Sequence, residues 1–408
     1  MAASTLPNQT VNDLNWTFAL VGVADATMLP YIPLYLAQRG MSAGLIGLVL
    51  ACAALATFVV GLGWAYLADR RFSPERMVVA AAVAAAGAAL LLAVAAGPVA
   101  IAAVVVALSI ARAPFMLLDP IALKRLRVTK RTDYARIRLR MSAGWAASAV
   151  LSGALFQAAG LRLIPFVYAP LSLLLGWWVL RSLKPTADRP TVETAPAVTS
   201  NVRRVPVALI TFFASCLLLG ASLAATQNFL TLQINVLGGG ALLIGAAAAF
   251  QAMTEVPTMG SIHVLTRFLS HRALFAIGCG IYLVIFVAWA FTSDALAAAL
   301  LKLVAGVAFA LTLIAAVMIT NDLAPSRLRA TGQALMKSVL FGVAPILGAL
   351  GGGVVYQALG ARVMFLGATA IVGAAGLIAL LVRPQPGPRT APVEAAPASS
   401  GLATPPAQ

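Results

Sequence analysis

The chain has 408 residues, of which 61% are hydrophobic and 10% charged, and its mean hydropathy is +0.96. A soluble domain carries about 25% charged residues, so a water-soluble enzyme or binding domain is excluded. The net charge of +16 would by number alone suit a nucleic-acid partner, but the basic residues sit between long apolar runs, which points to a membrane surface instead.

Apolar runs of roughly 20 residues recur from end to end, each long enough to cross ~30 Å of hydrocarbon. With no water at that depth, the backbone must close its own hydrogen bonds, so each run is read as a helix. In chain order about twelve are predicted, near 15–37, 43–68, 76–95, 97–123, 138–160, 162–181, 205–234, 240–266, 272–292, 295–321, 329–358 and 361–382. Residues 1–14 are a polar N-terminus and 183–204 a polar linker between two sets of six spans, 15–182 and 205–382. The tail, 383–408, has a composition that predicts disorder. The expected fold class is all-α integral membrane, with twelve transmembrane helices in two pseudo-symmetric six-helix bundles and no room for a soluble catalytic domain.

The connections alternate in charge. Arg70, Arg71 and Arg76 follow the second span, and Lys124, Arg125, Arg127, Lys130, Arg131 and Arg136 lie between the fourth and fifth. Arg181, Lys184, Arg189, Arg203 and Arg204 follow the sixth, whereas the alternate connections carry only Arg39, Arg162 and Arg362. Lys and Arg concentrate on the cytoplasmic side of membrane proteins, so both termini are expected in the cytoplasm, with the basic loops against anionic lipid. Cys52, Cys216 and Cys279 are scattered through apolar runs and offer neither a disulfide framework nor metal-ligand spacing. No basic region precedes the first span, so no cleavable signal peptide is expected.

Charges inside the spans are the functional candidates, because each is costly there. At ~1.5 Å per residue, Asp25 lies ~18 Å deep in the first span and Arg112 ~22 Å deep in the fourth. The two can meet near the midplane, either as a structural ion pair or as a proton site whose carboxylate is held down by the guanidinium. Asp119 follows Arg112 by seven residues on the same face of the fourth span. Arg138 and Trp145 share a face of the fifth span by the same spacing, and Asp119 and Arg138 lie at matching depth. A carboxylate, a guanidinium fork and a ring could hold a polar organic solute; an inner-gate salt bridge is the other reading. In the second half, Glu255 lies ~22 Å into the eighth span. Lys337 is placed to reach Glu255 from the eleventh span, and Gln227 and Asn228 of the seventh are placed to line the same cavity. Lys302 lies nearer the outer face. His263 is expected at the interface and His271 in a loop.

The halves echo each other. Phe156-Gln157-Ala158-Ala159-Gly160-Leu161-Arg162 closes the fifth span, and Tyr356-Gln357-Ala358-Leu359-Gly360-Ala361-Arg362 closes the eleventh, 200 residues on. Ile46-Gly47 has a counterpart in Ile244-Gly245. Repeats of this kind let two bundles rock around a midplane site. Over nearly its full length the chain resembles the major facilitator superfamily. Leu67-Ala68-Asp69-Arg70-Arg71 with Arg76 resembles the family's loop between the second and third spans, which implies a role for Asp69, Arg70 and Arg76 in a cytoplasmic gate. A narrower resemblance is to the lactose/proton symporter and phenylpropionate-permease branch. It is carried by Pro30-Tyr31-Ile32-Pro33-Leu34-Tyr35, Leu118-Asp119, Tyr134-Ala135-Arg136-Ile137-Arg138 with Gly144-Trp145-Ala146, and Glu255-Val256-Pro257. The His–Glu pair of that branch's tenth span is missing after Lys302.

The resemblance implies a secondary transporter of the bacterial cytoplasmic (inner) membrane, acting as a monomer on a small organic solute. Proton coupling would be carried by Asp25, Arg112 and Glu255, and solute binding by Asp119, Arg138, Trp145, Gln227, Asn228 and Lys337. No phosphate-binding Gly-x-x-x-x-Gly-Lys-Ser/Thr motif is present, so the expected driving force is the proton gradient, with no cofactor, metal, catalytic residue or nucleic-acid partner. Two directions stand: symport, from the lactose-type resemblance, and efflux antiport, because Asp25 with Arg112 also resembles multidrug/proton antiporters. A non-transporting membrane sensor or scaffold is the rival of another class, and it gives no reason for charges inside the spans.

Overall fold

The computed structural model describes residues 5–70, 72–128, 134–183, 206–325 and 328–382. Every regular element among them is helical. The first half contains α1 (Thr5–Ala26), α2 (Ile32–Gln38), α3 (Ala43–Arg70), α4 (Pro74–Val94), α5 (Pro98–Arg112), α6 (Leu118–Val128), α7 (Tyr134–Ala159) and α8 (Ile164–Ser182). The second contains α9 (Val207–Val236), α10 (Ala241–Leu265), α11 (His271–Phe291), α12 (Ala295–Leu323), α13 (Arg329–Ser338) and α14 (Ala344–Leu381). These make twelve rods. The pairs α1/α2 and α5/α6 each form one interrupted rod, and α14 turns at Gly360 (φ 82°, ψ 172°) from the eleventh rod into the twelfth.

Among the described residues, nine stretches are long and apolar enough to cross a membrane by composition. One of them, Thr331–Leu381, covers two rods. The remaining rods, α7 and α10, are diluted by small and polar residues such as Arg138, Ser148, Gln251 and Glu255. They face other helices rather than lipid alone.

Predicted and observed spans agree closely except where proline intervenes. The first span was expected to start near residue 15, but α1 begins at Thr5 and is interrupted before Pro30 and Pro33. The fourth was expected to be continuous, but it breaks at a 3₁₀ turn, Ala113–Leu117, that contains Pro114. The eleventh loosens into a π turn, Val339–Val343, just before Pro345. Proline removes a helix donor and crowds the preceding turn, and hydropathy is blind to both effects. The linker after Leu183, the tail after Val382 and the basic residues Lys130 and Arg131 lie outside the described residues.

Both ends of the described chain fall on one face, called proximal here; the opposite face is distal. Five of the six distal turns contain a glycine at positive φ, Gly40, Gly97, Gly160, Gly238 and Gly360, between 78° and 89°, a region open to glycine at little cost. Within the first half, α1 packs on α7 and α8, and α4 on α5 and α8; within the second, α9 packs on α14, and α10 and α11 on α12. The halves meet along two seams, α3 on α14 and α7 on α10.

Each seam closes at its distal end through glycine. A Cβ on Gly47 would strike the Ala349 carbonyl and lie 2.8 Å from the Gly353 Cα. A Cβ on Gly245 would strike the Ala149 carbonyl and the Tyr31 hydroxyl, and one on Gly153 would lie 2.8 Å from the Ala241 carbonyl. Close backbone approach of this kind is how helices gain contact in a solvent that offers no hydrophobic drive. The seam glycines are the repeat-related ones, so the repeat is realised as twin contacts.

Gly245→Val forces a branched side chain into the Ala149 carbonyl. Overpacking of this kind costs roughly 1–3 kcal/mol. Thermal unfolding of the detergent-purified protein should therefore fall by several degrees, whereas Gly87→Val and Gly280→Val, whose added Cβ meets nothing within 4 Å, should change little. Equal shifts in all three would refute close packing at this seam.

Candidate functional site

The break in the fourth rod sets up the site. It places Arg112 in the last turn of α5 and Asp119 in the first turn of α6. A cation at a helix C-terminus and an anion at an N-terminus are both favoured by the aligned peptide dipoles, so the interruption makes both charges easier to hold. Asp25 is placed the other way, in the last turn of α1, where the helix end is itself negative. It is compensated by Arg112, whose Nη2 donates to Asp25 Oδ1 at 2.6 Å. The two side chains are 16% and 11% exposed. Tyr168 of α8, fully buried, stands beside the guanidinium. The two charges, expected at similar depth, are in contact and tie the first rod to the fourth.

A second pair lies closer to the proximal face. Arg138 Nη1 donates to Asp119 Oδ1 at 3.3 Å, with side chains 52% and 42% exposed. The long distance and open setting make this a loose pair of small intrinsic strength. Arg138 also contacts Met141 Sδ at 3.6 Å. Both pairs are reached from one cavity of about 210 Å³, lined by Asp25, Asp119 and Arg138 and walled by Phe18, Phe115, Met116 and Met141 among others.

From the second half, Glu255 of α10, half-buried, has Arg138 as its charged neighbour but does not itself line this cavity. Arg138 therefore has a carboxylate of its own half as its ion-pair partner and a carboxylate of the other half as a charged neighbour. Gly22 of α1 and Gly144 of α7 let those two helices touch, the Gly22 Cα facing the Met141 carbonyl and the Trp145 amide.

The other expected residues are distributed differently. Trp145 is half-buried and does not line the cavity; the aromatic wall comes from Phe18 and Phe115 instead. Lys337 is exposed in the last turn of α13 and, among the described residues, makes no ion pair with Glu255. The expected contact presumed an unbroken helix, and the π turn that follows α13 alters its register. Gln227 and Asn228 are half-buried on α9 and do not line this cavity. Lys302 is buried, 7% exposed, and its Nζ donates to Gln251 Oε1 at 2.9 Å. Arg76 is exposed, while the side chains of Asp69 and Arg70 lie outside the described residues. Among the described residues no cluster of His, Cys, Asp or Glu could hold a metal ion.

An ion pair and a histidine–carboxylate contact are not legible in the sequence. Arg125 Nη2 donates to Glu75 Oε1 at 3.0 Å, joining the start of α4 to α6. His271 Nδ1 lies 2.6 Å from Asp322 Oδ2, joining the first residue of α11 to the end of α12. His271 is thus a helix start and not a loop residue. Both pairs tie the third rod of a half to the fourth at the proximal face, so the repeat offered a signal: a charge at one site and its opposite at the equivalent site of the partner rod.

The Asp25–Arg112 contact generates a stability prediction. Arg112→Gln leaves Asp25 buried at the negative end of α1 and should cost roughly 3–5 kcal/mol. The double variant Asp25→Asn/Arg112→Gln should recover most of that loss. Urea or thermal unfolding of the four proteins closes the cycle; additive losses would mean that the two side chains do not act as a pair.

The sequence matches the MFS_1 like family over residues 16–367. No curated protein matches it. Among solved structures, the nucleoside transporter NupG is similar at a TM-score of 0.79 and 18% identity, covering 91% of this chain and 98% of its own. A bacterial homolog to the human lysosomal transporter Spinster, in an inward-facing and unoccupied conformation, is similar at a TM-score of 0.67 and 14% identity, covering 92% and 96%.

Proposed function

The chain belongs to the MFS_1 like family, and from that membership we propose that it is a secondary active transporter moving a small polar organic solute by alternating access, coupled to protons. The carrying observation is the single cavity that reaches both Asp25, paired with Arg112, and the loose Asp119–Arg138 pair. A tight, buried pair suits a group whose protonation changes the conformational balance. A loose, exposed pair suits a site whose members exchange one another for a ligand. The distal seams closed by glycine contacts, with the proximal face in the cytoplasm as the basic loops predict, support an inward-facing arrangement.

The solute-binding reading rests on the guanidinium fork, which presents parallel donors to a carboxylate or to adjacent hydroxyls. Asp119 and Glu255 beside Arg138 disfavour a bare anion, so neutral polyhydroxy solutes fit best. One structural neighbour transports nucleosides, which combine adjacent hydroxyls with a flat ring, and Phe18 and Phe115 offer apolar walls. Nucleosides and simple sugars are therefore the first panel to test. Symport is the favoured direction. Efflux antiport is the second reading, supported by the Asp25–Arg112 pair at mid-depth.

Asp25→Asn should abolish proton-driven accumulation or expulsion in proteoliposomes while leaving counterflow exchange measurable, because it removes the titrating group and leaves the cavity. Uphill transport at the wild-type rate would make Asp25 structural and shift the search to Glu255.

Arg138→Lys keeps the charge but replaces a planar fork by a point ammonium. Solute affinity, measured on the purified protein against the panel above, should fall by about tenfold or more, the equivalent of one charge-assisted hydrogen bond. Unchanged affinity would leave Arg138 to a gating role with Asp119. Reporter fusions after Arg131 and after Gly238 should report opposite sides, cytoplasmic and external; the same side for both would overturn the topology.

A further inference from the structure

The repeated Gln-Ala-x-Gly-x-Arg segments are the clearest internal echo in the sequence, and the cavity does not use them. Both glutamines stand near the distal end of a seam, one on each. Gln357 of α14, in the second half, reaches α3 of the first: its Oε1 accepts from the Gly44 amide at 2.8 Å. Gly44 is the second residue of a 28-residue helix, so its N–H has no acceptor within the helix. Gln157 of α7, in the first half, reaches α10 of the second. Its side-chain amide lies directly on Gly240, the residue before α10, and a Cβ there would come within 2.5 Å of Cδ and 2.6 Å of Nε2. Each glutamine is thus set against the opening turn of a helix in the opposite half, and each rests on a glycine whose missing side chain makes room for it.

We propose that Gln157 and Gln357 are twin clasps that hold the two distal seams shut, and that both must release when the distal face opens. The proposal rests on the alternating-access reading and adds to it the residues that bias the equilibrium. Three physical points support it. First, the helix starts present unsatisfied N–H groups and the positive end of the peptide dipoles, so an amide oxygen is held there. Second, both glutamines are exposed, so water can take over the Gly44–Gln357 bond and the polar contact of Gln157 with Gly240 on release; a buried clasp would leave orphaned groups and resist opening. Third, the glycine contacts beneath, Gly47 with Gly353 on one seam and Gly245 with Ala149 and Gly153 with Ala241 on the other, supply dispersion contact but no directional bond, so register along each seam needs a polar fixture. By contrast, the proximal ties Glu75–Arg125 and His271–Asp322 each lie within one half and do not join the halves.

The test uses the full-length protein with Cys52 replaced by Ser and spin labels at two exposed distal positions, Arg162→Cys after α7 and Val236→Cys at the end of α9. Pulsed electron–electron distance distributions report the closed and open populations. Gln357→Met keeps length and removes the acceptor, and should raise the open-to-closed ratio about threefold, the lower range for one exposed neutral hydrogen bond. Gln157→Met should act in the same direction, and the double variant should multiply the two effects because the seams are separate. Gln357→Glu keeps an acceptor and adds negative charge at the α3 start, so it should stay closed or close further; a loss of packing alone would not produce that reversal. Gly245→Val is the steric control. If it opens the distal face while both methionine variants and the glutamate variant match the wild type, the clasps are refuted and alternating access stands. If the control also shows only the closed distance, the alternating-access reading falls and the clasp proposal falls with it.

Discussion

A charge inside ~30 Å of hydrocarbon must find an opposite charge, a dipole or water, and the architecture of the first half follows from that requirement. Asp25 sits at the negative end of α1, where the helix cannot help it, so it depends on Arg112, 2.6 Å away. Arg112 in turn is held at the end of α5 because Pro114 stops that helix. Without the stop, Arg112 would lie in mid-helix with no terminal dipole beside it. The same stop begins α6 with Asp119 in its first turn, which supplies the second carboxylate of the cavity. One proline thus organises both pairs.

The two pairs differ in ways that suit different tasks. Asp25–Arg112 is short and nearly closed to solvent, so separating it is expensive and a change in its charge state has large consequences. Asp119–Arg138 is longer and half exposed, so exchanging one partner for a ligand costs little. Glu255, contributed by the opposite half, completes the surroundings of Arg138. A solute bridging these groups would contact both halves at once, which is the condition for a ligand to influence how the halves sit on one another.

Contact between the halves is concentrated where side chains are smallest. Glycine seams permit rod-on-rod approach yet provide little that resists sliding, while the tight distal turns keep the rods of each half together. This combination suits two bodies that move as units. The buried Lys302 with Gln251, one turn from Glu255 on α10, shows that the second half also carries an intramembrane charge, here satisfied by a neutral amide.

The sequence by itself determined the class, the number of rods, their order and the echo between halves, because hydrophobic length and the alternation of basic loops are one-dimensional properties. It also determined the Asp25–Arg112 meeting, since depth can be counted along a helix of known rise. Asp119 and Arg138 were legible for the same reason. Rotation about a helix axis is not legible in one dimension: among the described residues Lys337 makes no ion pair with Glu255, and Trp145 does not line the cavity that Arg138 lines. Glu75–Arg125 and His271–Asp322 were hidden because their members are 50 and 51 residues apart, on rods whose adjacency no local pattern records. Only the tertiary structure decided which rods touch, which distal seams are closed and which glutamine rests on which helix start. Those outcomes depend on packing across the bundle, and packing is fixed by shape in three dimensions, not by spacing along the chain.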